Sequence, residues 1–177
     1  MKSIADILCL ISDKLDGILR VTAGFFVCVM VGAICLQVAA RYGFASPPAW
    51  TEEVARYAMV WVGLLGASVA FKAKFDPALF HIPDRAGRGV RLVAGTVRAA
   101  SVLIFLAPVL WYCFYGPGMN TARSFLARSL VTKAETFDMP TIFVAVTVPI
   151  FICAIFIHGL AQISAFLTHK NTSSDKD

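Results

Sequence analysis

Apolar and polar residues do not alternate along this chain; the apolar ones come in long blocks. Residues 21–40, 99–122 and 139–169 contain no Asp, Glu, Lys or Arg, and each block is long enough for the roughly 20-residue helix that crosses a bilayer. A fourth block, 57–71, is shorter, but the turn beginning at Thr51 extends it to spanning length. The pattern predicts an all-α integral membrane protein with four transmembrane helices: span one over 20–41, span two over 51–71, span three over 92–115 and span four over 140–167.

Ahead of span one, Ile4, Ile7, Leu8, Ile11, Leu15, Ile18 and Leu19 recur at helical spacing, while Lys2, Asp6, Asp13 and Asp16 hold the other side. This periodicity predicts an amphipathic interfacial helix over 1–19, lying on the membrane surface. A cleaved signal peptide is the competing reading; an over-long apolar run and the Asp residues of the lead-in argue against it. Residues 43–48 form a short hairpin, because Pro47 and Pro48 cannot continue the incoming helix but can start the next. Spans one and two are therefore antiparallel neighbours. The segment 72–91 is polar and basic, with Pro83, Gly87 and Gly89, and reads as a solvent loop. Span three stops at Gly116-Pro117-Gly118, with Trp111, Tyr112 and Tyr115 as an aromatic anchor. A partly amphipathic connection, 119–138, leads to span four, and the polar tail 171–177 is expected to be disordered. Pro108 and Pro149 are candidate kinks, with core packing as their default role.

The bases set the orientation. Lys2, Lys14 and Arg20, the loop residues Lys72, Lys74, Arg85, Arg88 and Arg91, and Lys170 and Lys176 make ten on one side. Arg41, Arg123, Arg128 and Lys133 make four on the other. By the positive-inside rule both termini and the 72–91 loop are cytoplasmic, and 119–138 is a periplasmic connection.

Composition narrows the class further. Of 177 residues, 58% are hydrophobic and 15% charged, against about 25% charged in soluble domains. The net charge of +5 is not gathered into a stripe beside stacking aromatics, so no nucleic acid is expected as a partner. Cys9, Cys28, Cys35, Cys113 and Cys153 contain no CxxC pair and read as small core or lipid-facing residues. Only His158 lies within a span, with His81 in the loop and His169 at the tail junction, too few for a haem or zinc site. No GxSxG, HExxH or Gly-rich phosphate loop is present. No catalytic residue, cofactor or metal site is expected, and the chain is not read as an enzyme.

The informative cluster is Gln37, Arg41, Tyr42, Trp50, Glu52, Glu53, Arg56 and Tyr57. Ionisable groups at membrane depth are costly enough that they usually face a bundle interior, a cavity or a partner. Glu52 and Arg56 stand four apart with the acid N-terminal, the favourable order for an ion pair, which is expected here. Two readings stay open: an interfacial belt that fixes helix depth, or an extracytoplasmic docking surface for another subunit. Gly63, Gly66, Ala67 and Ala70 follow, small residues that allow close helix approach within the bundle or against a partner. Arg98, two turns inside span three, either snorkels to the cytoplasmic surface or faces a partner.

The stretch Gln37-Val38-Ala39-Ala40-Arg41-Tyr42-Gly43-Phe44, then Trp50-Thr51-Glu52-Glu53-Val54-Ala55-Arg56-Tyr57, then Trp61 and Gly66, resembles the signature of the DctQ-type small membrane subunit of tripartite ATP-independent periplasmic (TRAP) transporters. The family pattern QVxxRYxF, a Pro-containing hairpin, W-x-E-E-x-x-R-Y, a Trp and a Gly is filled at every position. Met139-Pro140 with Pro149 looks like the family's two-proline fourth span; Phe80-His81-Ile82-Pro83 is only loosely similar to its His-containing loop. The resemblance implies a non-catalytic subunit of the bacterial inner membrane. It would brace a large membrane subunit for sodium-driven symport of an organic acid, delivered by a periplasmic solute-binding protein. The residues implied at the partner interface are Gln37, Arg41, Tyr42, Trp50, Glu52, Glu53, Arg56, Tyr57, Trp61, Gly63, Gly66 and Ala67. Four spans without a broken helix or a run of intramembrane carboxylates agree, since they provide no midplane transport site.

Two alternatives belong to other classes. A self-sufficient four-span channel or transporter, gated by Glu52, Glu53 and Arg98, would need polar groups spaced through the bilayer. A membrane anchor of a redox complex would show a visible absorption spectrum. The subunit reading expects neighbouring genes for a larger membrane protein and a secreted receptor.

Overall fold

The structure, a computed structural model, describes residues 2–44, 46, 48–73, 88–136 and 138–174, with side chains from 6–44, 46, 48–73, 97, 100–136 and 138–164. Six α-helices lie among the described residues: α1 (Lys2–Phe44), α2 (Ala49–Lys72), α3 (Arg88–Phe114), α4 (Phe125–Val131), α5 (Ile142–Ala145) and α6 (Thr147–Ser174). Four segments are long and apolar enough to cross a membrane: Asp6–Phe44, Ala49–Lys72, Ala100–Met119 and Ile142–Ser164. The four expected spans are therefore present. Residues 74–87 of the expected loop, with His81, and 175–177 of the tail lie outside the described residues, as does the side chain of Arg98.

Residues 2–19 are not a separate element. No proline interrupts the chain between Lys2 and Phe44, and α1 runs unbroken for 43 residues, about 64 Å at 1.5 Å per residue. Its N-terminal half also packs two polar residues, Ser12 and Asp16, inward. Ser12, Asp16 and Leu19 are buried, whereas Ile7, Leu10, Ile11 and Ile18 are exposed. The cause is electrostatic: Lys72 of α2 lies 2.8 Å from Asp13 Oδ1 and 3.6 Å from Asp16 Oδ2, and Asp16 is buried there beside Leu15 and Leu19 of the apolar cluster.

Pro48, extended at φ −67° and ψ 126°, precedes α2. Its carbonyl accepts from the Thr51 hydroxyl at 2.7 Å, and Thr51 has no exposed surface. α1 packs chiefly on α2, both pack on α6, and α3 reaches the bundle mainly through α6. Accordingly the fourth span has 44% of its most apolar window buried, against 11% to 17% for the other three. Leu19, Leu65 and Ala154 join α1, α2 and α6 in one apolar cluster; Leu106, Ile152 and Ile155 join α3 to α6 in a second.

The connection from α3 to α4 is tightly folded. The Gly116 N–H donates to the Asn120 carbonyl at 3.1 Å, and a Cβ at Gly116 would fall 2.5 Å from the Arg123 backbone, so only glycine fits. Gly118 takes a left-handed φ of 76°, where glycine carries no steric cost. The Ser124 hydroxyl then caps α4, accepting from Ala127 N–H at 3.2 Å. Residues 132–141 form a small hairpin, with an antiparallel bridge between Lys133 and Pro140.

Span four departs from the expected unbroken helix. α5 ends at Ala145 and α6 begins at Thr147, and Pro149 supplies the reason: lacking an N–H, it leaves the Ala145 carbonyl without its intrahelical donor. The interruption lies near one end of the span, not at its middle. At the other end α6 continues to Ser174, past the limit at 167 and into the tail expected to be disordered from 171.

Candidate functional site

The residues singled out on α2 divide between two faces. Glu53, Tyr57 and Trp61 are spaced by four, which aligns them along one stripe; Glu53 and Trp61 bond to the chain between 132 and 145, and Tyr57 bonds to Glu53. Glu53 is 2% exposed. Its Oε1 accepts from the Tyr57 hydroxyl at 2.7 Å and from the Glu135 N–H at 3.0 Å. Its Oε2 accepts from the Thr136 N–H at 2.9 Å and from the Thr136 hydroxyl. Two helical turns further, the Trp61 indole N–H donates to the Phe143 carbonyl at 3.0 Å. The indole also stacks on Phe26 of α1, with centroids 4.6 Å apart and planes 14° from parallel.

This stripe is a clamp. Glu53 holds the hairpin by its backbone, Trp61 holds α5 by its backbone, and the Trp61 ring presses on α1. The carboxylate has no basic partner within ion-pair reach among the described residues; hydrogen bonds from amides and hydroxyls compensate its desolvation, as a buried charge requires. A run of donors aimed at both oxygens also fixes the rotamer, so the hairpin is placed in one position relative to α2.

A second face, about 100° round the helix, is bare. Glu52 and Arg56 are exposed, and no ion pair joins them among the described residues; the expected pair is not formed. Met59, Gly63 and Ala67 continue the same face and are exposed too. A Cβ added at Gly63 or at Gly66 would meet nothing within 4 Å. Among the described residues, the close approach expected at these two glycines is thus not made. On α1, Arg41 and Tyr42 are exposed while Gln37 is half-buried, and Trp50 at the start of α2 is 44% exposed.

Sequence reasoning missed the other half of the clamp. Glu135, Thr136 and Phe143 lie some eighty residues downstream of their partners, and two of the three contribute only backbone atoms, which no side-chain pattern signals. The usable signal was the stripe itself, an acid, a Tyr and a Trp at intervals of four.

A family model described as "Tripartite ATP-independent periplasmic transporters, DctQ component" matches residues 30–169, which takes in α2, the hairpin and α5 together. The chain belongs to the DctQ family. It is a small multi-pass membrane subunit of a TRAP transporter, a transport component and not a member of a catalytic family. No match among curated proteins accompanies the family assignment. Both halves of the clamp, and the bare face beside it, fall inside the matched segment.

Proposed function

We propose that this DctQ subunit braces the large membrane subunit of its transporter in the bacterial inner membrane, for sodium-driven uptake of an organic acid that a periplasmic solute-binding protein delivers. The bare face of α2 carries this reading. Glu52, Arg56, Met59, Gly63 and Ala67 are all exposed on one side of a spanning helix, and the small pair Gly63 and Ala67 suits the close approach of a helix from another chain. The clamp beside that face stiffens α2 against the hairpin, as a brace requires. With the termini cytoplasmic, the clamp and the Arg41, Trp50, Glu52 and Arg56 rim stand at the periplasmic end, where a docked binding protein would meet them.

The test is reconstitution. Liposomes holding this chain alone should show no sodium-driven uptake of an acid that the complete three-component system transports. Uptake by the lone chain would overturn the bracing role.

A further inference from the structure

At the end of α2 remote from the clamp, a polar layer lies among α1, α2 and α6. Besides its two carboxylate contacts, the Lys72 ammonium donates to the Ser12 carbonyl at 2.9 Å. Arg20 Nε stands 3.0 Å from Asp16 Oδ2, and the Ser12 hydroxyl meets His158 Nδ1 at 2.7 Å. Ser68 is one turn before Lys72 on α2, hence on the same face, and Ser68 and His158 have no exposed surface.

Three buried atoms of this layer have no hydrogen-bond partner among the described residues: Asp16 Oδ1, Ser68 Oγ and His158 Nε2. Each comes from a different helix. They belong to one level of the bundle: Leu19, Leu65 and Ala154 meet in one cluster, Asp16, Ser68 and His158 each lie one turn from these, and the His158 ring touches Ser12, one turn from Asp16. Thr147 Oγ1 is also unpaired, but it sits three turns away along α6. Buried polar atoms left without partners are costly, and three that converge from three helices point to a shared ligand.

Charge decides which ligand. Asp13 and Asp16 are matched by Lys72 and Arg20, so an ion of either sign would unbalance a layer that is neutral with His158 uncharged. A small neutral molecule that both donates and accepts fits. Water bridging a carboxylate oxygen, a hydroxyl and an imidazole nitrogen would make the usual three hydrogen bonds of a buried water. If Ser12 donates to Nδ1, then Nε2–H donates to the water, which donates in turn to Asp16 Oδ1 and Ser68 Oγ.

We propose that one water molecule is bound at this junction by Asp16, Ser68 and His158, as the piece that joins α1, α2 and α6 in a single register. A structure of the assembled transporter, at a resolution that shows ordered water, should place one within hydrogen-bond distance of all three atoms. A side chain in that position, or a direct bond between any two of the three, overturns the proposal. Melting of the full chain in detergent gives a second reading. Ser68→Ala and His158→Gln should each lower the melting temperature, and the double variant should fall by clearly less than the sum, because either change already disrupts the shared ligand. Strictly additive shifts would overturn it as well, since residues that share no ligand lose nothing in common.

Discussion

Glu52 and Glu53 differ by about 100° of helical turn, and that rotation separates an exposed carboxylate from one with four hydrogen-bond donors. The i, i+4 rule was satisfied twice in this segment. Glu52 and Arg56 satisfy it on the surface, where a pair is worth about 0–1 kcal/mol and water competes for both ends. Glu53 and Tyr57 satisfy it against the hairpin, where the bond is made. Glu53→Gln replaces one acceptor oxygen by a donor that would confront an N–H, so the chain should lose about 2–3 kcal/mol of stability. Amide hydrogen exchange at Glu135 and Thr136 should accelerate in that variant; unchanged protection there would sink the clamp. Arg56→Ala should leave both amides as protected as before. Spacing along the sequence displayed the candidates but not the winner, because the choice was made by backbone donors far downstream.

At the scale of elements, the number of spans was legible because lipid enforces long charge-free helices, and few other structures read that way. Two features were not. Periodicity on residues 4–19 could not say which residues the bundle would bury, since Lys72 and His158, which meet Asp16 and Ser12, come from elsewhere in the chain. Pro149 was visible as a candidate kink, but the bond by which Trp61 holds the short helix ahead of it, through the Phe143 carbonyl, was not. The outer face of α2 gives the sharpest prediction at this level. Gly63→Leu combined with Ala67→Leu fills open space in this chain, so its own melting should change by no more than about 0.5 kcal/mol, as for ordinary surface sites. Co-purification with the large subunit should nevertheless be lost. Retention of the large subunit at wild-type yield would remove this face from the interface.

For the whole molecule, the ten-to-four division of bases predicts that the segment between α2 and α3 faces the cytoplasm. In a background without the five native cysteines, Ala86→Cys should resist a membrane-impermeant thiol reagent added to intact cells and react once the membrane is opened. Labelling from outside would invert the topology and carry the clamp to the cytoplasmic end.

The position of α6 has a consequence for biogenesis. α1 and α2 can pair as soon as the first hairpin is made, but α3 finds its main neighbour in α6, a span that leaves the ribosome after it. Until then Leu106 lacks Ile152 and Ile155, with which it forms its apolar cluster, so the order of synthesis is not the order of assembly. A chain stopped at residue 146 should therefore insert three spans yet be cleared far faster than the full chain, as a pulse-chase in membranes would show. Equal lifetimes would mean that α3 had found another partner while it waited.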